Sequence, residues 1–226
     1  MDRFIGTSLA RRGFLIGGAA TGVMLLPGCA GMGGFSMVEA IQRLLTISAQ
    51  RAFARLTAPG GFWDSEVARF DLPELFSGGG TIRSLLTSNL FRTQLQRQLN
   101  LLAERGAERA APVVYDAVRN ASIGDAVGIV RGGRTAATTF LRNQMGSALI
   151  NAMIPGLSDA LRVASDPVLG QAIRALSGVD LGSVAQAVAI RADNSIWYQI
   201  GAEETAIRAN PQSTNDPLLI GVFKIL

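Results

Sequence analysis

Apolar residues in this chain recur three or four positions apart, and no stretch alternates convincingly between apolar and polar residues. That spacing belongs to an α-helix with one buried face; a half-buried strand would need a period of two. The first run starts at Met37. Val38, Ile41, Leu45, Ala49, Ala52 and Leu56 share one face, while Arg43, Arg51 and Arg55 fall on the other. Pro59-Gly60-Gly61 punctuates it. The same pattern predicts further helices over 82–104, 108–120, 123–130, 134–153, 157–164, 168–176, 181–209 and 216–223. Breaks are expected at Gly106, Gly132-Gly133, Pro155-Gly156 and Asn210-Pro211. Ser122, with Asp125 three residues on, reads as the N-cap of the 123–130 helix. Residues 62–80 carry aromatics and a triple glycine without a period, and are expected to form a loop folded over the helices. No fixed-period repeat is present, which argues against a solenoid. The predicted fold class is all-α: a single multi-helix, bundle-like domain over 37–226.

Before that domain the chain carries what reads as an address. Arg11 and Arg12 are followed by Phe14 and Leu15, a twin-arginine pattern of the form R-R-x-F-L. The apolar run from Phe14 to Leu26 is shorter than the roughly 20 residues that span a bilayer. A basic start, a short apolar middle and small residues at the end make an export signal. Leu26-Pro27-Gly28-Cys29 then resembles a bacterial lipobox, in which a diacylglyceryl group is placed on the cysteine thiol and cleavage falls just before it. On this reading residues 1–28 are a cleaved signal peptide and 29–36 a flexible tether. Cys29 carries the lipid, since several acyl chains give stable anchoring. Ala30 follows where an aspartate would direct inner-membrane retention, so the outer membrane, facing the periplasm, is the favoured location.

Absences bound the chemistry. The sequence has no histidine, and its only cysteine is the one assigned to lipid. This removes imidazole and thiolate metal sites, disulfides, Ser-His-Asp and Cys-His catalysis, and the usual neutral-pH proton shuttle. No cofactor and no metal are expected. The net charge is +4, of which +2 leaves with Asp2, Arg3, Arg11 and Arg12 of the signal. So slight and dispersed a charge is not a nucleic-acid footprint.

Several residues invite a functional reading. Phe62 and Trp63, beside Pro59-Gly60-Gly61, are candidates for contact with a ligand or partner, although aromatics in such loops more often fill the core. Glu203 and Glu204 are adjacent and point about 100° apart on a helix, which excludes a close proton-sharing dyad and predicts a salt-bridged surface. Glu204 and Arg208 stand four apart, in the orientation that supports a helix. The Arg131-Gly132-Gly133-Arg134 turn offers either an anion site at the next helix start or a plain C-cap, and the latter is expected.

Pro59-Gly60-Gly61-Phe62, Leu72-Pro73, Ala110-Ala111-Pro112, Ile123 with Asp125-Ala126, and Ala136-Ala137-Thr138 with Phe140 occur in that order. They are followed by Glu203-Glu204, Ile207-Arg208, Asn210-Pro211, Asp216, Leu218-Leu219 and Val222-Phe223. In these residues the mature chain resembles domain-of-unknown-function family 4197, a family of exported bacterial helical proteins. Thr139 stands where that family carries a bulkier residue, residues 157–180 match it poorly, and Lys224 is the only lysine where the family is lysine-rich. The resemblance implies a helical envelope protein and brings no catalytic residues with it.

Three functions follow, in descending order. The first is a non-enzymatic binding or structural/adaptor lipoprotein that meets an envelope protein. The second is a carrier of a lipid or other apolar small molecule, in keeping with 48% hydrophobic residues. The third is a carboxylate-based hydrolase, for which no spaced pair on a shared face is visible.

Overall fold

The computed structural model describes residues 36–69, 71–72, 84–163, 166–175 and 180–224. The export-signal residues Arg11, Arg12, Phe14 and Leu15, the lipidation residue Cys29, and Gly78-Gly79-Gly80 lie outside the described residues. Among those described, the secondary structure is all-helical with no strand. The elements are α1 (Met37–Leu56), α2 (Asn89–Arg119), α3 (Ala126–Arg131), α4 (Ala136–Met145), α5 (Ala148–Arg162), α6 (Pro167–Ala175), α7 (Leu181–Ala209), a 3-10 turn (Pro211–Thr214) and α8 (Pro217–Phe223).

Four long helices close a ring: α1 packs on α2, α2 on α5, α5 on α7, and α7 back on α1. Their facing stripes make the core. Ile41, Leu44, Leu45 and Leu56 of α1 meet Leu95, Leu99 and Val114 of α2, Leu149, Met153 and Leu157 of α5, and Val188, Ile196 and Ile200 of α7. Each side chain of this size contributes about 1.5–3 kcal/mol when fully buried. The first half of α7 buries small residues, Ala185, Ala189 and Ala192, and so lets its neighbours approach closely. The short helices α3, α4 and α8 pack against α1, and α6 packs on α2.

Helix α1, the last long helix α7 and the terminal helix run as the periodicity predicts. Several boundaries differ: the helix expected from 82 is interrupted after Leu85 and resumes at Asn89, and the break expected at Pro155-Gly156 is absent, Ala148–Arg162 being one helix. The helix expected to break at Gly106 continues from Asn89 to Arg119, through both Gly106 and Pro112. Its buried stripe stays in register across Gly106, from Leu95 to Val118, and packing against α5 outweighs the roughly 1 kcal/mol that a mid-helix glycine costs. The helix expected over 134–153 is two helices, α4 and α5. The break falls at Gly146, whose φ of +53° leaves the helical region, and α5 then passes through Pro155. Finally, Asp125, not Ser122, caps α3: its carboxylate accepts from the Gly128 N–H at 2.8 Å. A Cβ at Gly128 would lie 2.1 Å from the Asp125 carboxylate, which would have to turn aside.

The irregular segment after α1 is sewn to the bundle by polar contacts. The Phe62 N–H donates to Glu104 of α2 at 3.3 Å, and Ser195 Oγ of α7 donates to the Ala68 carbonyl at 3.0 Å. Gly61 makes the turn possible, because any Cβ would lie 2.2 Å from the Arg55 carbonyl oxygen. Among the described residues no helix is long and apolar enough to cross a membrane.

Candidate functional site

Besides Ser195, helix α7 buries four polar residues with longer side chains. Asp193, Gln199, Glu203 and Glu204 are all buried, Glu204 completely. A buried carboxylate must be paired or well hydrogen-bonded to be tolerated. Glu204 meets that demand at the start of α4. Its Oε1 accepts from the Ala137 N–H at 3.0 Å, and its Oε2 from the Thr138 N–H at 2.7 Å and the Thr138 hydroxyl at 2.6 Å. Thr135, the residue preceding α4, makes no side-chain cap, so Glu204 supplies the cap from another helix.

Arg208, one turn further along α7, does the complementary job. Its Nε donates to Glu204 Oε1 at 2.8 Å, while its two remaining nitrogens donate to the carbonyls of Val130 and Ile129 at 2.8 and 3.0 Å. Those carbonyls close the C-terminal end of α3, where a cation is favoured. One i,i+4 pair therefore caps the end of one helix and the start of the next. The Arg131–Arg134 turn lies between them with Gly132 as its C-cap. The amides where an external anion would bind are already taken by Glu204.

Glu203 and Glu204 are thus salt-bridged, as their sequence suggests, but inside the bundle and not on its surface. Glu203 is also buried, and faces elsewhere: it pairs with Arg55 Nε at 3.2 Å and accepts from Gln199 at 3.3 Å. Of the aromatic pair, Phe62 is fully buried among core residues, which leaves it no surface for a partner. Trp63 is half-buried, with the guanidinium groups of Arg97 and Arg69 at 4.9 and 5.6 Å from its ring centroid.

A groove runs between α4 and the second half of α7, with a volume of about 920 Å³ and an open mouth. Thr135, Thr138, Thr139, Arg142 and Asn143 line it from the α4 side, and Asn194, Trp197, Tyr198, Gly201 and Thr205 from α7. Gly201 lets the walls approach: a Cβ there would stand 3.1 Å from the Thr135 methyl. Arg142 spans the groove to Asp193 at 3.1 Å and to Asn194 Oδ1 at 2.6 Å. Asp193 also accepts from the Trp197 indole N–H at 2.9 Å, which fixes that ring. Burial pushes the Asp193 carboxyl above its ordinary range, and Arg142 and Trp197 pull it partly back. None of these groove residues stood out in the sequence, apart from Thr138 and Thr139. The available signal was Asp193 and Glu204, two carboxylates inside the apolar stripe that also holds Ile196, Ile200 and Ile207.

Among the described residues no group of three acidic or cysteine side chains is placed to hold a metal ion. A family model described as a protein of unknown function, DUF4197, matches residues 32–224. No curated protein and no solved structure matches the chain.

Proposed function

The chain belongs to the DUF4197 family of proteins of unknown function, and from that premise we propose that it is a cell-envelope lipoprotein that acts by binding rather than by catalysis. The observation that carries this reading is the use made of its buried carboxylates. Glu104, Asp193, Glu203 and Glu204 each hold a backbone amide, an indole or a guanidinium. Acid–base chemistry needs a pair of such groups aimed at a shared reacting atom. With no histidine and one cysteine in the sequence, few other residue types remain to supply it.

The groove between α4 and α7 is the surface that this reading uses. Its threonines, asparagines and tyrosine suit a polar ligand better than the apolar cargo of a carrier. Delivery rests on the sequence alone: export through the Arg11-Arg12 signal, lipid on Cys29, and an outer-membrane location facing the periplasm. Cell fractionation of the full chain and of Cys29→Ser tests the anchor. The wild type is expected in the membrane fraction and the variant in the soluble periplasmic fraction. Recovery of the wild type in the soluble fraction, or a wild-type mass without added acyl chains, would overturn it.

A further inference from the structure

Resting on the reading that the protein acts by binding, we propose that the α4–α7 groove holds a neutral, hydroxyl-rich chain: a segment of an oligosaccharide. Charge gives the first argument. Arg142 is the one cationic residue in the lining, and Asp193 and Asn194 already engage it. Asp193 neutralises that guanidinium, so an anionic ligand meets no net positive charge in the lining, and a cationic one no spare carboxylate.

The second argument is the polar inventory. The side chains of Thr135, Thr139, Asn143 and Tyr198 line the groove and have no protein hydrogen-bond partner among the described residues. Hydroxyl and amide groups both donate and accept, as sugar hydroxyls do. A ligand with one dominant polarity would use half of that capacity.

Third is the aromatic surface. Tyr198 is 61% exposed at the groove and presents its ring there. A pyranose presents C–H groups on its faces and hydroxyls around its edge. Tyr198 offers a face for the former, and the threonines and Asn143 offer partners for the latter. Fourth, the walls are fixed in advance. Glu204 pins the start of α4, and the Trp197 ring is tied to Asp193, so little ordering cost remains for binding. The groove's size lies in the range of known ligand sites, and its open mouth suits a chain passing through.

The test is calorimetric titration of the full chain, carrying Cys29→Ser, with neutral hexose and N-acetylhexosamine oligomers and with an acidic oligosaccharide. Binding of a neutral oligomer is expected, with weak affinity typical of open polar sites. It should weaken at least about tenfold in Tyr198→Ala and in Asn143→Ala. Both residues are exposed, so neither change should disturb the fold, which circular dichroism checks. No heat from any neutral oligomer at concentrations on the order of millimolar would overturn the proposal. So would tighter binding of the acidic one, or binding that both variants leave intact. A protein captured by the wild type and lost in Tyr198→Ala, with every glycan silent, would overturn the saccharide and leave the broader binding reading standing.

Discussion

Replacing Glu204 by glutamine isolates the double cap at the α3–α4 junction. Shape is conserved, so no cavity forms and the change in stability is electrostatic and hydrogen-bonded in origin. Glu204 Oε1 serves Ala137 N–H and Arg208 Nε, and Oε2 serves Thr138 N–H and its hydroxyl. The amide NH2 group must displace one of these acceptors and oppose two donors. The cheaper choice puts it at the Oε2 position, where the Thr138 hydroxyl can rotate to accept. Even then the Thr138 N–H is orphaned, at about 1–3 kcal/mol, and Arg208, with only 11% of its side chain exposed, loses its counter-charge. Removing one partner of a buried pair costs about 3–5 kcal/mol, and the two penalties overlap. We expect a loss of about 3 kcal/mol, a large share of the roughly 5–15 kcal/mol that stabilises a domain. Urea unfolding followed by circular dichroism measures it, and an Arg208→Met partner completes a double-mutant cycle. The two changes should couple by about 1–3 kcal/mol. A loss below about 1 kcal/mol, or costs that simply add, would refute the double cap.

Four further substitutions probe the fold. Gly61→Ala places a Cβ 2.2 Å from the Arg55 and 2.5 Å from the Leu56 carbonyl oxygens, backbone atoms that cannot turn aside. It should lower stability by about 3 kcal/mol, while Gly133→Ala, with nothing within 4 Å, should change it little; equal thermal midpoints for the two would contradict this. Gly106→Ala meets Met153 and Leu157 at an ordinary 3.5 Å and should stabilise α2 by about 0.5–1 kcal/mol. A lower unfolding midpoint would show that the α2–α5 contact has no room. Burial alone would raise the Asp216 carboxyl, but hydrogen bonds from Arg43 and from the Leu219 and Leu218 amides hold it below its ordinary range. Its stabilisation is therefore fully present above about pH 4 and is lost as the pH falls through the depressed value. Asp216→Asn should be less stable than wild type near neutrality, and the gap should close in acid; a gap constant with pH would refute the assignment. Asp193, whose carboxyl is raised by burial, works in the opposite sense, contributing more as the pH falls.

The helices themselves were legible wherever a local cause sets them. Ile41, Leu45, Ala49 and Ala52 define the buried face of α1 by spacing alone, and Asp216-Pro217 starts α8 with a cap and a proline that any reader of sequence can see. The absence of histidine likewise narrows the chemistry without any coordinates. Local rules failed where distant contacts outweigh them. Gly106 reads as a break, yet α2 runs through it, because the stripe on either side of it is clamped by the core. Ser122 and Asp125 form a plausible capping box, but the chain enters the helix three residues later than that box predicts.

The groove was the least visible feature, for a geometric reason. Its two walls, around Thr139 and Tyr198, are joined only when α4 is laid against α7, and that placement depends on Glu204 reaching an amide 66 positions away in the chain. Sequence spacing reports which residues share a face of one helix. Which helix that face meets is decided by packing, and here by the need to satisfy one buried carboxylate.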